Sequence, residues 1–243
     1  MNSRIVEKKI LEKGAFLAIR LATFSVIGFL LFVLGYIFYS GFSALSWEFL
    51  SQMPREQMTE GGILPAIVGT FALMIGSSLI SIPVGIATAI YLTEYAKNQK
   101  AVGIIRLGVN NLAGVPSVVF GLFGLSIFVV FFKFGTSLVA GSITLGILNL
   151  PLVIRSTEEA LMVVPGTYRE ASLSLGATKW QTIRKIVLPN ALPGIRTGVM
   201  LSMGRAAGET APVMFTAAAF LTPDLPHSIF SEVMALPYHI YVL

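Results

Sequence analysis

Residues 165–189 read PGTYREASLSLGATKWQTIRKIVLP. Two helix starts are written into this stretch. Thr167 is followed three residues on by Glu170, and Thr178 by Gln181. Each pair has capping-box spacing, in which a hydroxyl and a side-chain acceptor satisfy two free backbone N–H groups at a helix start. Gly176 lies between them, where a left-handed residue suits the end of the first helix. Pro189 is expected to stop the second, because proline has no N–H and its ring collides with the preceding turn. The stretch therefore predicts two short helices joined by a tight turn. What decides the fold is what lies on either side of it.

Both sides are oily. The 243 residues are 55% hydrophobic and 12% charged, about half the charge of a soluble domain. Five apolar runs stand out: 15–38, 64–92, 104–132, 137–154 and 192–220. A bilayer crossing takes about 20 such residues. The second, third and fifth runs are longer, so they must tilt, break or continue outside the membrane. The expected fold is an all-α polytopic membrane bundle with five spans. The first run is too long for a signal peptide and no small-residue cleavage site follows it, so 15–38 is read as an uncleaved span. With membrane spans at both ends, the two-helix loop is not a DNA-binding unit.

The net charge of +5 is a topology signal. The segment 1–14 carries Arg4, Lys8, Lys9 and Lys13. If it is cytoplasmic, fifteen of the seventeen Lys and Arg residues fall on the inner side, and only Arg55 and Lys133 lie outside, as the positive-inside rule requires. The loop 39–63 is then external, 64–243 forms the main body, and the largest inner loop spans about 155–189. Five spans place the C-terminus outside. Nucleic acid is not an expected partner; the lipid bilayer is.

There is no cysteine, which excludes disulfides and thiolate metal sites. His227 and His239 are too far apart for a metal motif. No G-x-x-x-x-G-K-[ST] occurs, so the chain lacks a P-loop. It is not read as an enzyme, and no cofactor is expected on it. Glu158 and Glu159 are neighbours that face apart on a helix. They are read as solvated loop residues, not as a catalytic pair.

Glu170, Ala171, Ser172, Gly176, Ile186, Leu188 and Pro189 fit the pattern E-A-A-x3-G-x9-I-x-L-P, with Ser172 replacing the second alanine. This resembles the signature loop of permease subunits of bacterial ABC importers. The stretches NNLAGVPSVVFGLFG (110–124) and GRAAGETAP (204–212) resemble the PstA-like permeases of phosphate importers in particular. The resemblance implies the type I importer permease fold, usually with six spans, in the cytoplasmic (inner) membrane. It implies a second homologous permease subunit, an ATPase dimer that holds ATP and Mg, an external phosphate-binding protein, and phosphate as the cargo. It also implies that the loop docks on the ATPase. Another oxyanion (sulfate, molybdate or phosphonate) is the near alternative. An ion-driven carrier or channel is the distant one, because such a protein has no need of the loop.

Two places in the spans draw attention as a substrate pathway. Arg205 and Glu209 are four residues apart, on one face of a fifth helix, with Thr210 next. Arginine at a membrane centre costs about 2.5–3.5 kcal/mol on insertion scales, so this face is expected to avoid lipid. Two readings stay open. The pair locks the bundle, or Arg205 meets the anion with its planar fork while Glu209 holds the guanidinium when the site is empty. Pro116 predicts a break before Ser117, leaving a half-helix start whose N–H groups suit an anion; a packing kink is the other reading. Thr70, Ser77, Ser81 and Thr88 share a helical face and suit either a pathway or interhelical hydrogen bonds. Gly194/Gly198 and Gly204/Gly208 have the spacing of close helix contacts.

Overall fold

The computed structural model describes residues 3–56, 60–219 and 225–242. The chain divides into two compact units, Met1–Ser51 and Gln52–Leu243. The first consists of helix α1 (Ser3–Gly41), a 3-10 turn (Phe42–Ala44) and a short helix α2 (Trp47–Ser51). With 39 residues, α1 is about 58 Å long and outlasts the expected 15–38 span at both ends. No proline interrupts it, and Gly14, Gly28 and Gly35 weaken a helix by only about 1 kcal/mol each. None of its described side chains is buried.

The second unit opens with an antiparallel ribbon, β1 (Pro54–Arg55) on β2 (Glu60–Gly61). Helix α3 (Leu64–Ile90) starts with Pro65 in its first turn, where a missing N–H is harmless, and ends in a π-turn, Tyr91–Tyr95. Asn98 caps α4 (Gln99–Ala113) by accepting from the N–H groups of Lys100 and Ala101. Helix α5 (Ser117–Gly124) continues into a π-helical segment, Leu125–Phe131. The two halves meet at 97°. The run 104–132 is thus not one straight span. Pro116 cannot donate to the ladder and keeps Val115 out of the helical region, so the chain turns there.

Helix α6 (Leu138–Val163) is the centre of the unit. It packs on α3, α4, α5 and on two later helices beyond the short α7 (Gly166–Ser174) and α8 (Lys179–Thr182), namely α9 (Leu188–Gly208) and α10 (Ala211–Thr216). Small residues permit this. Gly76 meets Ser142 and Gly85 meets Val153, so α3 and α6 run in the same direction; a Cβ on Gly85 would sit 2.7 Å from Val153 Cγ1. Gly194 faces Ala160 and Gly198 faces Ser156, so α9 runs back along α6. A Cβ on Gly204 or Gly208 would meet nothing within 4 Å, so only the first glycine pair serves contact within this chain. Apolar clusters fill both ends of the bundle. Leu73, Leu145, Val213 and Val233 belong to one, and Ala89, Leu161, Val187 and Ile195 to the other.

Several boundaries differ from the sequence reading. The fourth run was expected to end at 154, but α6 passes Pro151 and reaches Val163. A proline is tolerated where neighbouring helices surround it, and Pro151 is buried. The loop expected from about 155 therefore begins near Val164. Glu158, expected in solvent, is only 2% exposed, whereas Glu159 is exposed. The fifth run, 192–220, is not one helix. It breaks after Gly208, because Pro212 has no N–H for the Gly208 carbonyl and its ring collides with it, and Glu209 is extended; Phe220 lies outside the described residues. A last helix, α11 (Leu236–Val242), closes the described chain.

Three described helices are long and apolar enough to cross a membrane: Leu11–Ala44, Leu64–Tyr95 and Leu138–Val163. The bent pair α4–α5 makes a fourth if counted as one span. Among the described residues the expected five are therefore four at most. Asn190, Arg196 and Arg205 make α9 too polar to count by composition.

Candidate functional site

The loop between α6 and α9 forms two short helices, α7 (Gly166–Ser174) and α8 (Lys179–Thr182). Gly176 takes φ +81°. Its N–H donates to Leu173 O (3.0 Å) and the Ala177 N–H donates to Ser172 O (3.3 Å). This is the Schellman pattern, which satisfies the orphan carbonyls of α7. The second capping box forms as expected: Gln181 N–H donates to Thr178 Oγ1 (3.3 Å) and Thr178 N–H to Gln181 Oε1 (2.8 Å). The first does not. Pro165, not Thr167, is the N-cap of α7, and no side chain caps it. Thr167 already lies inside the first turn, where its hydroxyl no longer faces a free N–H.

The second short helix does not stop at Pro189 either. A π-turn, Ile183–Val187, leads straight into α9, with Pro189 in the first turn of that helix. A wide π-turn absorbs the carbonyl that a proline displaces. The loop thus joins α9 through continuous helix, with Ile183 and Val187 buried and Ile186 and Leu188 half-buried.

Within the loop the motif residues divide by face. Glu170, Ala171, Gly176 and Pro189 are exposed. Ser172 is buried and its hydroxyl bonds the Thr182 hydroxyl at 2.9 Å. The one departure from the alanine pattern is therefore a cross-link between α7 and α8. Leu175 is 89% exposed, with Tyr168, Leu173 and Trp180 also open. The exposed side of the loop mixes large apolar and small residues with one carboxylate, Glu170, and the cations Lys179, Arg184 and Lys185.

Two ion pairs near this face escaped the sequence reading. Arg169 binds Glu94 (2.7 Å) and Arg106 binds the buried Glu158 (3.1 Å). Lys179 Nζ stands 5.2 Å from the Tyr95 ring centroid. The signals available in sequence were slight: Arg169 adjoins the motif glutamate, and Glu94 is the single acid of its turn.

The second candidate region lies where α9 and α5 meet their breaks. Arg205 Nε is 3.1 Å from Glu209 Oε1, with the side chains 42% and 14% exposed. The pair forms, though not within a continuous helix, because Glu209 is already extended at ψ 125°. Thr210 follows and α10 begins. Pro116 is the N-cap of α5; it is exposed and Ser117 half-buried. Helix α10 packs on α5, where Gly121 meets Pro212 and Phe215. The structure thus brings α5 and the segment after Glu209 together. The Thr70–Thr88 stripe turns inward: Ser77 and Ser81 are fully buried. Thr70 donates to Ala66 O (2.7 Å) and accepts from Leu236 N–H (2.9 Å). Ser81 Oγ, Asn149 Oδ1 and Thr157 Oγ1 are buried without a hydrogen-bond partner.

Comparison with known proteins gives a consistent result. Residues 81–229 match the family described as binding-protein-dependent transport system inner membrane component. The chain is 34% identical over 253 residues to the probable ABC transporter permease protein YqgI of Bacillus subtilis, covering 99% of this chain and 84% of that one. It is 40% identical over 195 residues to the phosphate transport system permease protein PstA 2 of Mycobacterium bovis, covering 80% of this chain but 64% of that one. Among solved structures, a chain of the MetNI methionine ABC transporter in an inward-facing conformation superposes with a TM-score of 0.50 at 26% identity. The match covers 60% of this chain and 68% of that one.

Proposed function

Since the chain belongs to the binding-protein-dependent transport system inner membrane component family and has the fold of a type I ABC importer permease, we propose that it is the membrane subunit of an ATP-driven importer of inorganic phosphate. The observation that carries this is the loop 165–189, a capped and internally bonded unit that presents an exposed face and runs as continuous helix into α9. A separate ATPase dimer, carrying ATP and Mg, docks on that face through Glu170, Ala171 and Gly176. Closure of the dimer moves the loop, and α9 moves with it. A second homologous permease subunit completes the pathway, and an external binding protein delivers the anion. The N-terminus lies on the cytoplasmic side.

Phosphate is favoured over other oxyanions by the PstA 2 relative. Arg205 is the group suited to meet it. Its planar fork offers two parallel N–H donors to phosphate oxygens, and it sits at the C-terminal end of α9, where a cation is stabilised by the helix dipole. Glu209 holds the guanidinium in the empty site and keeps the anion from binding too tightly to leave. The test is ATP hydrolysis by the reconstituted complex with phosphate-loaded or sulfate-loaded binding protein. Phosphate should stimulate it; stimulation by sulfate alone would overturn the assignment.

A further inference from the structure

One side chain of α7, Arg169, hydrogen-bonds the ends of two membrane helices at once. We propose that Arg169 is the positioning residue that carries movement of the loop to α3 and α6 together; this rests on the reading of 165–189 as the ATPase-docking loop. The Arg169 guanidinium makes four hydrogen bonds. Nε and Nη2 donate to Glu94 Oε1 at 3.0 and 2.7 Å, Nη2 donates to Leu161 O at 2.9 Å, and Nη1 donates to Val164 O at 2.8 Å. Glu94 lies in the π-turn that ends α3. Leu161 is in the last turn of α6 and Val164 is its C-cap.

Both helix ends need a cation. The last carbonyls of a helix have no partner within it, and its C-terminus carries partial negative charge. Glu94 adds a full negative charge to the end of α3. One guanidinium answers all three demands, and the Arg169 and Glu94 side chains are 23% and 9% exposed. A lysine does not substitute, because its donors radiate from a single nitrogen and cannot span a carboxylate and two separated carbonyls.

The sequence neighbours complete the arrangement. Glu170 and Ala171 face outward beside the anchored Arg169. The other interhelical side-chain hydrogen bond of α7, Ser172 to Thr182, stays inside the loop. A force on the outer face therefore passes to α3 through Arg169, and to α6 through Arg169 together with the short backbone link at Val164–Pro165, whereas its path to α9 runs along the backbone alone.

The test uses the complete importer reconstituted in vesicles, with phosphate uptake and ATP hydrolysis measured on the same preparation. The variants are Arg169→Lys, Arg169→Met and Glu94→Gln. A photo-cross-linker on Ala171→Cys, unique because the chain has no cysteine, reports contact with the ATPase separately. Arg169→Met is expected to keep the cross-link and hydrolyse ATP, yet move about tenfold less phosphate per ATP, within the range for residues that couple two sites. Arg169→Lys should fall between, and Glu94→Gln should lose least because the carbonyl bonds remain. If uptake and hydrolysis fall in proportion, or if Arg169→Met abolishes the cross-link, Arg169 only shapes the loop and the proposal is overturned. Absence of the cross-link with Arg169 intact refutes the docking reading itself, and the transmission role goes with it.

Discussion

Replacing Gly176 isolates the backbone as the cause of any effect. A Cβ at this position would meet nothing within 4 Å, so packing contributes no penalty, while φ is +81°. For an L-residue the left-handed region costs about 1–2 kcal/mol, and Asn tolerates it better than most. Valine, branched at Cβ, belongs at or above the top of that range. If the turn opens to relieve the strain, the bonds from Gly176 N–H to Leu173 O and from Ala177 N–H to Ser172 O go with it, at about 0.5–1.5 kcal/mol each. Gly176→Val should thus disfavour the closed loop by about 2 kcal/mol or more, roughly a thirtyfold change in population. Phosphate uptake in vesicles, with membrane levels of the subunit checked, should fall, by up to about thirtyfold on the same arithmetic. Gly176→Asn should transport nearly as the parent does, since it has the room and the backbone tolerance. Normal uptake by the valine variant would refute this reasoning, as would equal failure of the asparagine variant.

Arg205→Gln should assemble and still bind the ATPase but lose phosphate uptake, while Glu209→Gln is milder for binding and slows release; near-normal uptake by Arg205→Gln would return the pair to a packing role. Pro116→Ala should straighten the 97° bend and impair uptake more than assembly, and equal loss of both would mean the break serves packing alone. Arg106→Ala should lower the thermal inactivation temperature in detergent more than Glu158→Gln does. It leaves a carboxylate that is only 2% exposed without its partner, at more than the about 1–3 kcal/mol of a neutral group, whereas the amide is neutral and Arg106 is partly exposed. The opposite order would show that Glu158 reaches solvent or another donor.

Features closed within one or two helical turns could be read directly from the chain. The Thr178–Gln181 box, the left-handed Gly176 and the break at Pro116 all formed, because each depends on atoms a few residues apart. The oily runs around 64–92 and 137–154 were equally legible, since length and hydropathy are additive along a helix. Tertiary structure decided the rest. Pro189 was read as a stop, yet helix runs through it and through Pro151 as well, because a π-turn and buried packing supply what local geometry denies. The capping box at Thr167 failed because the N-cap of α7 is Pro165, a shift of two residues that periodicity cannot resolve. Arg169 finds Glu94 across 75 positions and Arg106 finds Glu158 across 52. Such partners are chosen by which helix ends the bundle brings together, and no spacing along the chain records that choice. Composition and local spacing thus determined that this is a membrane bundle with a capped loop, while which charges tie that loop to the spans was settled only when α3, α6 and α7 met.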